Sequence, residues 1–225
     1  MRRSEINALI LQTQDFFNDH HFILPEWSNW SEKEWQQNKE LAAYLFHHQM
    51  GWDVTDFSSN DFYRRGLILF CLRNGIPNKQ GEKMYAEKIM MVRENQETPL
   101  HYHKNKMEDI IVRGGGELIF EMYSVDAEGK KLDKKVEFYR DGIKETIAPG
   151  VPVHLKPGQS MTLTHRLMHR FYGAKGKGPV LVGEVSQVND DNSDNYFYEP
   201  LGRFSDIIED EAPRWLLWSD LSQYV

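Results

Sequence analysis

Cysteine is almost absent: Cys71 is the only one in 225 residues, which excludes an intramolecular disulfide and a zinc site built from several thiolates. A chain without disulfides suits a reducing compartment. Long hydrophobic runs are also missing. No segment approaches the roughly 20 apolar residues of a membrane span, and polar residues interrupt the basic N-terminus MRRSEINALILQTQDFF before any stretch of signal-peptide length. The expectation is a cytoplasmic protein with no membrane partner. Positive charge is in deficit, 27 Lys and Arg against 34 Asp and Glu, and the resulting net charge of -7 repels phosphate backbones and argues against a nucleic-acid partner. Internal repeats, low-complexity tracts and Gly/Ser linkers are lacking, so a single domain over 1–225 is expected.

What is present is material for a core, 40% hydrophobic and 12% aromatic residues. Ile6, Leu9, Ile10, Thr13, Phe16 and Phe17 recur at spacings of three and four, predicting an amphipathic helix that begins after Ser4. In Trp30-Ser-Glu-Lys-Glu-Trp35, Ser31 and Glu34 form a capping box between two aromatics at the staple positions, predicting a second helix from Glu32 to His48 with Gly51 beyond it. These helices form an extension over 1–50. From 51 to 200 the pattern changes to short β-rich runs: Leu67 to Leu72, Tyr85 to Val92, Glu117 to Tyr123, Val136 to Tyr139, Met161 to Thr164 and Val180 to Val188. Turn signals at Asp141-Gly142, Pro149-Gly150 and Pro157-Gly158 separate several of them, which predicts an antiparallel sandwich or barrel. The final segment, 201–225, carries Trp215, Leu216, Leu217 and Trp218, too apolar for a free end, and is expected to pack on the barrel or on a second subunit.

The informative stretch is Pro99-Leu-His-Tyr-His103, followed by Lys104 to Met107 and then Glu108. On a strand, residues i and i+2 share a face, so His101 and His103 offer two imidazoles to one ion. Four residues allow a tight reversal, which would return Glu108 beside them on the neighbouring strand. A further imidazole is available from His165 or His169. His169 is chosen, because His165 falls where the chain must turn whereas His-Arg-Phe-Tyr from 169 starts a run able to lie beside the His101 strand. Three imidazoles and a carboxylate suit Mn2+, Fe2+, Co2+, Ni2+ or Zn2+.

The pattern His101-x-His103, Glu108 after four residues and Gly115 after six more is similar to the first motif of the cupins, and Pro157-Gly158 followed by His169 resembles the second. Asn95 and His165 stand where that family often has a glycine and a proline. A resemblance covering most of the chain is carried by AEKIMMVRENQETPLHYHKNKMEDIIVRGGGELIFE from Ala86 to Glu121 and LVGEVSQVNDDNSDNYF from Leu181 to Phe197. With the helical N-terminus and GWDVTDF from Gly51, these resemble the bacterial D-lyxose ketol-isomerases. The resemblance implies a mostly β, antiparallel, cupin-type β-barrel, jelly-roll-like, with an N-terminal helical extension. It also implies one divalent metal per subunit, most often Mn2+, a cytoplasmic homodimer, and a small-molecule sugar substrate. The reaction would interconvert D-lyxose and D-xylulose and, for several members, D-mannose and D-fructose.

Isomerisation moves a proton between C1 and C2, so a base must sit beside the ion without being one of its ligands. Glu184, inside the apolar run Val-Leu-Val-Gly-Glu-Val, is the candidate, since a carboxylate there needs a cation or hydrogen-bond donors. Lys88 and Lys106 are candidates to support charge developing on the sugar. Within Asn189 to Asn195, which lacks the glycine and closing glutamate of a calcium loop, Asp190 is the expected sugar contact. Two rival readings share the site: an iron-dependent dioxygenase and a non-catalytic sugar-binding cupin.

Overall fold

Hydrophobic spacing and capping set the first helices of the computed structural model, which describes residues 1–225. Helix α1 spans Arg3–Asp19 and buries Ile6, Leu9, Ile10, Thr13 and Phe17. Ser4 does not cap it, because its amide and hydroxyl both donate to the Asp210 carboxylate. The capping box of Ser31 and Glu34 is formed, and Trp30 and Trp35 pack edge to face across it. The helix expected to reach His48 is instead divided into α2, Glu32–Gln37, and α3, Lys39–His47. Asn38 breaks it: its Nδ2 donates back to the Glu34 carbonyl at 2.8 Å and its ψ moves to 45°, an asparagine side chain competing with the helical ladder.

The strands are β1 (Gly51–Thr55), β2 (Leu67–Arg73), β3 (Tyr85–Val92), β4 (Glu97–His103), β5 (Glu108–Gly115), β6 (Leu118–Tyr123), β7 (Val136–Arg140), β8 (Ile143–Ile147), β9 (Val153–Leu155), β10 (Ser160–Leu163), β11 (Met168–Gly173), β12 (Val180–Gln187) and β13 (Asn195–Phe197). All named strand pairs are antiparallel, in an eight-stranded sheet ordered β1-β2-β3-β12-β5-β10-β7-β8 and a five-stranded sheet ordered β13-β4-β11-β6-β9. The expected jelly-roll-like arrangement is therefore present as two facing sheets. The Asp141-Gly142 signal makes the β7–β8 hairpin, with φ of 51° and 80° at its two central residues, the left-handed pair that matches strand twist.

Side chains from the two sheets meet in a core containing Leu69, Met90, Val112, Phe120, Met161, Phe171 and Val182. The outer face of β2, β3 and β12 is covered by α1, where Ile6, Leu9 and Ile10 pack with Trp52, Ile68, Ile89 and Leu181. Strands buried on both faces read as continuous apolar runs, which is why Tyr85 to Val92 and Val180 onward show little alternation. The C-terminal segment packs on its own chain: Trp215, Leu217 and Trp218 are buried, and Leu217 bridges to Trp52 of β1. Buried Arg3 ties that segment down through Glu209 at 2.7 Å and Asp220 at 2.8 Å. No helix is long and apolar enough to cross a membrane.

Candidate active site

The alternation of β4 turns His101 and His103 inward, and β11 runs beside it with His169 directly opposite His101. All three imidazoles are buried, and their ligand atoms lie within 4.8 Å of one another. His165 lies outside this cluster, at the surface, with its Nε2 3.1 Å from Gln187 Oε1. The route of Glu108 to the histidines differs from the expected hairpin. β4 and β5 belong to different sheets, and the four residues 104–107 cross between them, so Glu108 faces the histidines across the interior. Its Oε1 is 3.3 Å from His103 Nε2 and 3.4 Å from His169 Nε2. The crossing is held by Asp194, whose carboxylate accepts from the backbone amides of Asn105 and Lys106 at 2.7 and 3.2 Å.

This donor set fits a divalent metal. The Nδ1 of His101 donates to the Pro99 carbonyl at 2.7 Å and that of His169 to the Leu167 carbonyl at 2.9 Å. A carbonyl only accepts, so each bond fixes the tautomer and leaves Nε2 with its lone pair. His169 Nε2 is buried without any hydrogen-bond partner, the state expected of a nitrogen shaped to meet an ion. Burial and the neighbouring imidazoles hold His101 well below its ordinary pKa, and burial and Lys106 lower that of His103, so both stay neutral.

On the eight-stranded sheet, Glu184 of β12 pairs directly with Lys88 of β3, and both side chains face the same interior. Lys106, buried within the crossing segment, places its Nζ 2.9 Å from Glu108 Oε2 and 2.8 Å from Glu184 Oε1. Burial pushes the Glu108 carboxyl up, but Lys106 and His103 outweigh it and hold the group well below the usual carboxylate range. For Glu184 burial is likewise outweighed, by Lys106 and Lys88, and the carboxylate stays ionised. Burial alone would lower Lys106, yet Glu108 and Glu184 raise it above its ordinary value.

These groups line a pocket with Thr98, Phe57, Phe197, Asn195, Asp191 and Arg203. Asp190 is not among its lining residues. The Asp190 carboxylate turns back into its own loop, accepting from the Gln49 side chain, the Asn192 amide and the Ser193 hydroxyl. The acid that this loop presents to the pocket is Asp191, one residue on. Asp191 lies 3.2 Å from Arg203, which also meets Asp53 at 2.6 Å. Burial raises the Asp191 carboxyl, but Arg203, Lys88 and Lys106 hold it far below its ordinary range. Arg203 arrives from the C-terminal segment, where no motif marks it. Asn189 sits at the exit of an apolar strand in a run of Asn and Asp, and composition alone does not single it out.

The D-lyxose isomerase family model matches residues 1–221. A D-lyxose/D-mannose isomerase of Serratia proteamaculans is 46% identical over 227 residues, covering 100% of each chain. A D-lyxose/D-mannose isomerase of Escherichia coli O157:H7 is 43% identical over 227 residues with the same full coverage. Among solved structures, a variant of the L-ribose isomerase of Acinetobacter sp. DL28 in complex with L-ribose aligns with a TM-score of 0.62 at 15% identity, covering 92% of this chain and 98% of that one. At that identity the likeness is one of fold.

Proposed function

The chain belongs to the D-lyxose isomerase family, and from that premise we propose that it interconverts D-lyxose with D-xylulose and D-mannose with D-fructose as a metal-dependent aldose-ketose isomerase. The observation that carries the reading is the bare Nε2 of His169 beside His101, His103 and Glu108, next to a carboxylate, Glu184, that lies outside that cluster. His101, His103, Glu108 and His169 would hold Mn2+, or Fe2+, Co2+, Ni2+ or Zn2+ in its place. A divalent ion there supplies Lewis acidity toward the carbonyl and adjacent hydroxyl oxygens of the sugar.

Glu184 takes the proton from one of C1 and C2 and returns it to the other while a hydroxyl proton passes between O1 and O2, so the reaction needs no outside oxidant or reductant. Its ionised state suits it to accept that proton. Lys106 holds Glu108 by Oε2, which keeps Oε1 turned toward the histidines. Lys88 and Lys106 also place positive charge where the sugar oxygens become more negative. The buried setting excludes water and strengthens these interactions. A homodimer in the cytoplasm, as the resemblance implies, belongs to the same reading, and sedimentation tests its subunit number.

The experiment is D-xylulose formation from D-lyxose under nitrogen, with protein stripped by chelator and then restored with Mn2+, alongside D-mannose. Product that appears only on restoration supports the reading. No product from either aldose, with the protein folded and stoichiometrically loaded, overturns it.

A further inference from the structure

Lys88 and Lys106 do not meet only at Glu184. Their ammonium groups also converge on Asn189 Oδ1, at 2.9 and 3.1 Å, so that two cations are bridged by two oxygens, Glu184 Oε1 and Asn189 Oδ1. Each lysine is thereby shared between the carboxylate and the amide. The shortest contact of Glu184 with each lysine falls on Oε1, and the hydrogen bond from Lys106 is also accepted by that oxygen. An amide turned the other way would aim its own N–H groups at two ammonium ions, so charge dictates that Oδ1 faces them. The orientation is kept although Asn189 Nδ2 is buried without a hydrogen-bond partner.

Asn189 is itself held from behind. The side chain of Asn74, buried at the end of the β2 segment, donates from Nδ2 to the backbone carbonyls of Asn189 and His48, each at 2.9 Å, and accepts from the Asn189 amide at 3.0 Å. This reciprocal pair works like one rung of a β-ladder and fixes the backbone from which the Asn189 side chain projects.

We propose that Asn189, fixed by Asn74, is a positioning residue for the isomerisation: its Oδ1 holds both lysines in place, so that they meet Glu184 most closely at Oε1 and leave Oε2 for the sugar. The inference rests on the assignment of Glu184 as the base. Without the amide oxygen, Lys88 loses its shortest contact and keeps only Glu184, at 3.4 Å, onto which it can close. That would draw the carboxylate away from the substrate and weaken it as a base.

The test compares Asn189→Ala, Asn189→Asp and Glu184→Gln, each loaded with Mn2+, for kcat and KM on D-lyxose, bound metal per chain and Tm. The expected result is that Asn189→Ala lowers kcat about tenfold while KM stays within about threefold and metal content is unchanged. A general base contributes roughly a hundredfold or more, and misplacing it forfeits part of that. Asn189→Asp, which retains an oxygen at the same place, should recover at least threefold over the alanine variant. Wild-type kcat in Asn189→Ala overturns the proposal. So does equal slowing in the alanine and aspartate variants, which would mark a role in loop packing, and so does a change confined to KM, which would make Asn189 a sugar contact. Full turnover in Glu184→Gln removes the base assignment itself, an outcome distinct from failure at Asn189.

Discussion

His101, His103 and His169 enter the pocket from the five-stranded sheet, two of them with Nδ1 tied to a backbone carbonyl, and Glu108 is shared between His103 and His169. Lys88, Glu108 and Glu184 enter from the eight-stranded sheet, and with Lys106 they form a closed set of ion pairs. The difference follows from what burial allows. An unpaired neutral nitrogen costs less to bury than an unpaired charge, which must be met by an opposite one. One sheet therefore presents clustered imidazole nitrogens that fit a metal, and the other presents charge already balanced. Lys106, at the crossing, touches both a carboxylate beside the imidazoles and the carboxylate proposed as base.

The largest expected effect tests the histidine side. His169→Ala should lose its metal on desalting and fall to background turnover, while His165→Ala, at the surface, should retain both. Stoichiometric metal in desalted His169→Ala would break the ligand assignment. The next effect tests the charged side. Glu184→Gln should lower kcat at least roughly a hundredfold with metal content preserved, and should lower Tm because Lys88 and Lys106 lose the carboxylate they share. Loss of metal in that variant would show that the two sides do not divide their labour as the geometry implies.

The histidine side was the more legible in sequence, and the reason is local. His101 and His103 are two residues apart on one strand, and strand periodicity alone puts them on one face. The placement of His169 rested on a run of four residues that does become β11, directly beside β4. Glu108 reached the same neighbourhood by a different route, because spacing cannot distinguish a hairpin within one sheet from a crossing between two. The charged side depends on pairing between strands remote in the chain, so only the anomaly of Glu184 in an apolar run pointed to it. In the loop after β12 the alternating acids and amides made Asp190 look equivalent to its neighbours. Which acid turns inward is decided by Gln49, which engages the Asp190 carboxylate and accepts from the Asp191 amide. The break at Asn38 was hidden in the same way, since an asparagine inside a good helical pattern is neutral until its side chain finds the Glu34 carbonyl.

A smaller effect measures how strongly the metal joins the two sides. Chelator treatment should lower Tm, and Mn2+ added back at a hundred times its Kd should restore about 2.7 kcal/mol of stability. For a chain of this length that corresponds to a shift of roughly 5–10 °C. An unchanged Tm would mean that the buried imidazoles and Glu108 stay together equally well without an ion, with the charged network alone holding the sheets in register.

The smallest effect asks whether the scaffold can be weakened without reaching either side. Ser31→Ala removes the hydroxyl of the capping box at the start of α2, remote from the pocket in sequence, and the loss of such a cap should lower Tm by about 2–4 °C. Metal content and kcat should not change, because Trp35 and Leu45 remain buried and can still anchor α2 and α3 to the core. A route to the site nevertheless exists. Helix α3 leads into Gln49, and Gln49 holds the loop that carries Asn189 and Asp191. If Ser31→Ala lowered kcat as well as Tm, fraying of the helices would be reaching the pocket through that glutamine. Gln49→Ala should then reproduce the kinetic loss while sparing the helix cap, and the contrast between the two sheets would have to be extended to include the N-terminal helices as a third contributor.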